Sequence, residues 1–406
     1  MAVGEGTLAY LNPIEGFQLA TCSAGIKTTG RMDLVLMSMC EGATVAGVFT
    51  QNAFCAAPVH VAKAHMAQQS SRYFLVNTGN ANAGTGTQGM RDAHTSCAAL
   101  AQLSGSQSEA VLPFSTGVIG EVLPVDKIVA ALPSALAALR TDGWLAAASG
   151  IMTTDTRPKA ASKTFDYQGQ QISVTGIAKG AGMLKPNMAT MLAYIATDAG
   201  VAQPLLNVII KNAVACSFNR ITVDGDTSTN DACMLVATGK AKVQPLTSLT
   251  DELYQPLQQC IDEVFIELAQ GLVRDGEGAS KFVTVNVVGG LSEAESLQVA
   301  YTVAESPLVK TAIFASDPNW GRLLMAIGRA GVEALDVDKI SVKIGDVLIA
   351  EGGSRAASYT EELGAVVMEK EEITITIDLA RGDQAVRVWT SDLSHEYVRI
   401  NAEYRT

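Results

Sequence analysis

The stretch Lys179-Gly180-Ala181-Gly182-Met183-Leu184-Lys185-Pro186-Asn187-Met188-Ala189-Thr190 runs directly into the apolar segment Met191–Ala196. Two glycines and a proline in eight residues break regular structure, so 179–189 reads as loop. The run from Thr190 to Thr197 then reads as a buried strand. Thr190 itself has two readings. It is an ordinary β-branched strand starter, or it is a residue where the chain cuts itself and exposes a new N-terminal hydroxyl nucleophile. On residue chemistry alone the first is simpler, and the second stays open.

The remaining pattern is mixed α/β. Residues 33–50 read as two strands around a Glu41-Gly42 turn, and Tyr73–Asn77 as a short buried strand leading to a helix near Met90–Leu103. Gln171–Ile177 and Phe282–Val288 read as strands. Apolar residues at 205, 206, 209, 210, 213 and 214 have helical spacing, and a stripe from Leu253 to Leu272 marks a longer helix within 250–273. Asp317-Pro318 reads as a helix start running through Ala330. The last quarter is β-rich, with strands at 340–344, 347–350, 373–379 and 385–390. Residues 150–190, rich in Thr, Lys and Gly, look least structured and are the natural place for a boundary or a cut.

At 406 residues the chain is long for one domain, which suggests two domains or one two-lobed unit. Hydrophobic residues make up 48% and charged residues 17%, enough for a large core. A net charge of -12 argues against nucleic acid or an anionic membrane as partner. No run reaches the length of a membrane span, and the N-terminus has no basic-then-apolar leader. A cytoplasmic protein is expected. The seven cysteines, Cys22, Cys40, Cys55, Cys97, Cys216, Cys233 and Cys260, are odd in number and lack a CxxC, so they read as buried free thiols.

Several chemistries can be weighed quickly. The four histidines, His60, His65, His94 and His395, have no zinc-site spacing, so no metal is expected. No G-x-S-x-G elbow is present. The loop Gly79–Gly89 has neither phosphate-loop nor dinucleotide spacing, and a tight turn packed near a sheet explains it better. Three aspartates between Asp224 and Asp231 are explained by turn and capping hydrogen bonds. Ser115-Thr116-Gly117 follows the apolar Val111–Phe114, on a loop after a strand. There a threonine hydroxyl beside a glycine amide could form an oxyanion hole.

Lys179–Met183 with Ala189–Leu192 resembles the self-cleavage segment of the ornithine acetyltransferase (glutamate N-acetyltransferase) family. Other blocks match in order: Asn77–Asn82, Ser115–Gly117, Met152–Thr156, Asp224–Asp231, Arg274–Gly278, Asp317–Arg322 and Asn401–Thr406. The resemblance spans essentially the whole chain, with small departures such as Lys185.

The resemblance implies an α/β layered sandwich of sheets flanked by helices, of N-terminal-nucleophile type, with a second β-rich C-terminal lobe. It implies cleavage between Ala189 and Thr190 into an α chain, 1–189, and a β chain, 190–406, assembled as α2β2. The freed α-amine of Thr190, with a pKa of roughly 7.7–8.0, would act as base for its own hydroxyl. Thr190 would take the acetyl group from N2-acetylornithine and pass it to glutamate, in the cyclic arginine biosynthesis pathway. Thr116 and Gly117 would hold the oxyanion. Thr153, Lys179, Thr190, Glu277, Asn401 and Thr406 would bind the amino acids, Lys179 meeting a carboxylate and Glu277 the ornithine ammonium. No metal or redox cofactor is implied, and acetyl-CoA would be a second acetyl donor. Alternatives are an enzyme restricted to N-acetylornithine, an N-terminal-nucleophile amidase or aminopeptidase passing the acyl group to water, and a nucleotide-binding module built on the Gly79 loop. Gly117→Ala is expected to fold and to lose rate.

Overall fold

The computed structural model describes residues 2–185 and 191–403. The chain divides into two compact units. The larger comprises residues 7–219 and 226–272, and the smaller residues 1–6, 220–225 and 273–406. The expected cut after residue 189 falls inside the larger unit, not at the boundary between the two.

The described residues of the larger unit hold nine strands: β1 (Phe17–Cys22), β2 (Leu34–Met39), β3 (Thr44–Phe49), β4 (Tyr73–Asn80), β5 (Val111–Val118), β6 (Lys159–Tyr167), β7 (Gln170–Lys179), β8 (Leu192–Thr197) and β9 (Ala232–Ala237). It also holds helices α1 (Ala57–Gln68), α2 (Gly86–Ser104), α3 (Val125–Ala137), α4 (Trp144–Gly150), α5 (Gln203–Cys216) and most of α6 (Tyr254–Arg274). One sheet has the order β1-β2-β4-β5 and the other β3-β9-β8-β7-β6.

Alternation along each strand makes the layers. Val35 and Met37 of β2, Val76 of β4 and Phe114 of β5 face Ile177, Tyr194 and Met234 of the second sheet. Phe74, Phe114 and Tyr194 link the sheets as a ring cluster, with centroids 5.3–5.8 Å apart. The intervening residues Leu34, Leu36 and Leu75 point the other way, onto Ala93, Cys97 and Leu100 of α2 and Ile128 and Leu132 of α3. On the far face of the second sheet α5 packs against β3 and β9. There the Leu268 side chain of α6 approaches Gly176. The result is the expected sandwich of two sheets flanked by helices.

The smaller unit has β10 (Phe282–Gly290), α7 (Glu293–Ala304), α8 (Pro307–Phe314), α9 (Trp320–Gly328), β11 (Ser341–Ile344), β12 (Val347–Glu351), β13 (Ser354–Arg355), α10 (Glu361–Met368), β14 (Glu372–Asp378), β15 (Gln384–Ser391) and α11 (His395–Ala402). Its sheet runs β13-β12-β11-β14-β10-β15. Val299, Val303, Ile313, Leu323 and Ile327 of the helices close over Val285, Ile375 and Val388 of the strands. Residues 2–6 join this unit, with the Val3 amide donating to the Arg274 carbonyl at 2.8 Å.

The two strands expected around Glu41-Gly42 form as β2 and β3, and they enter different sheets; a period-2 pattern identifies a strand and not its partner. Three expectations are corrected. The stretch read as least structured contains the long hairpin β6–β7. Its turn residues Gln168 and Gly169 both have positive φ, 50° and 73°. That is the type I′ geometry usually signalled by Asn-Gly, and a Gln-Gly pair hides it. The helix expected from Asp317 starts later: Asn319 caps α9, its Oδ1 accepting from the Arg322 amide at 3.0 Å. The cysteines are all free, but Cys22, Cys40, Cys55 and Cys216 are only half-buried. The Thr190 end of the expected strand lies outside the described residues. No described helix is long and apolar enough to cross a membrane.

Candidate active site

Thr116 and Gly117 sit on the last residues of β5, not on a loop after it. β5 is the edge strand of its sheet, which tolerates Pro113 in mid-strand. Its parallel neighbour β4 places Gly79 opposite Gly117. Gly117 has φ 137°, and a Cβ there would lie 2.3 Å from the Gly79 carbonyl carbon and 2.5 Å from the Asn80 nitrogen. Only glycine fits. The expectation that Gly117→Ala folds normally is therefore corrected.

Buried amide side chains fix this strand end. Ser115 Oγ donates to Asn77 Oδ1 at 2.6 Å, and Asn77 Nδ2 donates to the Asn80 carbonyl at 2.8 Å. Asn230 Nδ2 donates to the carbonyls of Ala81 (2.6 Å) and Ser115 (2.9 Å). The Asn77–Asn82 block and the end of the Asp224–Asp231 block are thus scaffold under Thr116. The three aspartates of the second block are divided: Asp224 belongs to the smaller unit, Asp226 and Asp231 to the larger.

Lys179 ends β7 and is buried. Its Nζ donates to Thr116 Oγ1 and to Thr153 Oγ1, each at 2.9 Å. An ammonium has donors only. Both hydroxyl oxygens must therefore accept from it, and each keeps its own hydrogen to give. Three of the expected site residues, Thr116, Thr153 and Lys179, are thus in direct contact.

Asp155 lies behind them, with its side chain fully buried. It pairs with Lys159 and also accepts from the amides of Thr153 (2.9 Å) and Gly180 (2.9 Å). Burial alone would push its carboxyl up. The Lys159 and Lys179 ammonium groups and the hydrogen bonds from Lys159 and the Thr153 amide outweigh that and hold it well below the usual carboxylate range. Sequence reasoning placed Asp155 in a matching block without giving it a role. A four-residue Asp–Lys spacing outside a helix carries no signal.

On either side of residues 186–190 the chain is fastened. The Lys185 carbonyl accepts from Thr227 Oγ1 at 3.3 Å, and the Met191 carbonyl from the Ala232 amide at 2.9 Å. Leu192 pairs with Lys179 in the β7–β8 register. Ala189, Thr190 and Thr406 lie outside the described residues.

In the smaller unit Glu277 is buried in the 274–278 turn, and Asn401 of α11 donates to its Oε2 at 2.8 Å. Gly278 has φ 70°, and a Cβ there would meet the Tyr397 nitrogen at 2.5 Å. Ser394 Oγ donates to the Gly278 carbonyl at 2.6 Å. Asp392 accepts from the Ser280 amide (2.8 Å), Ser280 Oγ (2.5 Å) and the Lys281 amide (3.0 Å). The Glu277 turn is thereby locked to the start of α11. Two further expected residues, Glu277 and Asn401, touch each other.

The sequence profile described as the ArgJ family matches residues 18–406. Arginine biosynthesis bifunctional protein ArgJ of Pseudomonas syringae is 60% identical over 406 residues, covering 100% of both chains. The protein of the same name from Methylococcus capsulatus is 55% identical over 396 residues, 98% of this chain and 97% of its own. The crystal structure of arginine biosynthesis bifunctional protein argJ from Bacillus halodurans is 35% identical, with a TM-score of 0.49, and covers 52% of this chain and 97% of that one. On the profile match and the 55–60% identity to these two relatives, the chain belongs to the ArgJ family.

Proposed function

We propose that this ArgJ-family acyltransferase moves the acetyl group of N2-acetylornithine to glutamate through an ester on Thr190. The observation that carries the reading is the pair of threonine hydroxyls, Thr116 and Thr153, held as donors by one buried lysine. That lysine is in register with Leu192, two residues beyond Thr190 in the chain.

The precursor cuts itself between Ala189 and Thr190, leaving chains 1–189 and 190–406. β7 of the first pairs with β8 of the second, and β3 with β9, so the sheet keeps the two together. The neutral α-amine of Thr190 takes the proton of its hydroxyl, directly or through water, as the oxygen attacks the acetyl carbonyl. Negative charge gathers on the carbonyl oxygen, and the Thr116 hydroxyl and the Gly117 amide donate to it. The tetrahedral centre collapses, the amine of ornithine leaves with a proton, and the amine of glutamate then attacks the acetyl-Thr190 ester. Thr153 and Lys179 contact the amino-acid end of the substrate. Glu277, steadied by Asn401, receives the ornithine ammonium, and Thr406 completes the contacts. The relatives named bifunctional support acetyl-CoA as a second donor for making N-acetylglutamate. An α2β2 assembly and a cytoplasmic location belong to the same reading.

Acetyl-labelled N-acetylornithine tests it. Label is expected in glutamate, with little in free acetate, and Thr190→Ala should leave an uncut, inactive chain. Label released mainly to water would favour the amidase alternative.

A further inference from the structure

Asp155 is a buried carboxylate of the larger unit that the proposed reaction does not use. Asp155 offers few oxygens to many donors. Its Oδ2 accepts from the Thr153 amide, and its Oδ1 from the Gly180 amide and from Lys159. Thr153 and Gly180 belong to separate parts of the chain. The first precedes β6 and the second follows the last residue of β7. Each is one of the site groups or stands next to one. The Thr153 amide belongs to the residue whose hydroxyl meets Lys179, and the Gly180 amide adjoins Lys179 itself. One rigid carboxylate therefore sets the separation of the two backbones across which Lys179 Nζ reaches both hydroxyls at 2.9 Å. Charge runs the same way. Asp155 stands behind the ammonium, and the ammonium stands behind Thr116.

We infer that Asp155 is a positioning residue for acetyl transfer: it fixes Lys179 so that the ammonium donates to Thr116 Oγ1 and leaves the Thr116 hydrogen free to be given to the oxyanion. The inference rests on the oxyanion role proposed for Thr116. A displaced ammonium would free the hydroxyl to rotate, and a donor that rotates away is lost to the transition state while ground-state binding survives.

A bland role competes with this one, because Asp155 also neutralises the buried Lys159. Three variants separate them: Asp155→Asn, Asp155→Asn/Lys159→Met and Lys159→Met. Each is purified and measured for chain cleavage, melting temperature, and kcat and KM with N-acetylornithine. Asp155→Asn strands a buried ammonium and should melt lower. The double variant removes that charge and should regain stability, yet its kcat should stay down by on the order of a hundred-fold, as expected when a reacting group is misplaced. KM should rise by much less than kcat falls, since Lys179 and Thr153 also contact the substrate but the Thr116 donor acts in the transition state. Lys159→Met should keep most of the parental kcat. Recovery of kcat in the double variant would overturn the inference and leave Asp155 a charge balancer. If the double variant does not accumulate, a kcat loss in Lys159→Met equal to that of Asp155→Asn overturns it equally. An inactive parent chain would instead fail the acetyl-transfer reading itself.

Discussion

At the scale of single residues, the chemistry rests on which atoms can only donate. Lys179 has no acceptor, so Thr116 and Thr153 accept from it and keep both hydroxyl hydrogens to give elsewhere. Thr116→Val should therefore lower kcat on the order of a hundred-fold or more, while Thr116→Ser, which keeps the hydroxyl, should lose far less. Steady-state kinetics on the two variants checks this; equal losses would mean that shape and not the hydroxyl matters. Gly117 behaves differently. Its left-handed backbone and the 2.3 Å approach of the Gly79 carbon mean that Gly117→Ala should disturb the β4–β5 pairing before it reports on catalysis. Low soluble yield or a clearly lower melting temperature is expected. A variant melting like the parent would show that the strands can part to admit a methyl group.

At the scale of elements, α8 carries an unusual burden. Lys310 is wholly buried, its Nζ donating to Thr390 Oγ1 at 2.9 Å and to the Ser391 carbonyl. Burial lowers its pKa to about 8, against the opposing pull of Asp392, Asp224 and Glu305. The folded chain thus holds fewer protons than the unfolded one between about pH 8 and the ordinary lysine value. The cost of burying the charge is fully present below pH 8 and is relieved as pH rises through that window. Relative to Lys310→Met, the parent should gain on the order of 3 kcal/mol across it, measured by denaturant unfolding at several pH values. A pH-independent difference would contradict the shift.

Elements also show what the sequence could and could not reveal. Long periodic segments such as α6 and the strand now seen as β10 were readable because one apolar face repeats. The β6–β7 hairpin was not. Its polar strand residues are satisfied inside the fold, as Ser162 Oγ and Thr175 Oγ1 are at 2.8 Å, and its turn lacks the usual Asn-Gly. Within the site, motif blocks pointed to Thr116, Gly117, Thr153 and Lys179. Asp155 has no role in the sequence, and Asn230 is only part of a block that reads as scaffold, because their importance lies in which distant backbone groups they meet. Asn230 spans 149 positions to reach Ala81.

At the scale of the whole molecule, the division into compact units and the expected division by cleavage are independent. The cut after Ala189 would fall within one sheet of the larger unit, where β8 lies between β7 and β9. Cleavage would then alter chemistry rather than architecture. It would give Thr190 a free amine while the β7–β8 and β3–β9 pairing holds both products in one fold. Thr190→Ala should accordingly melt close to the parent even though it stays uncut and inactive. The most direct test of this account is the intact mass of the denatured protein after brief exposure to N-acetylornithine without glutamate. The account requires two chains, 1–189 and 190–406, with one acetyl group on the second that disappears when glutamate is added. A single uncut chain of 406 residues that still transfers acetyl groups would contradict it.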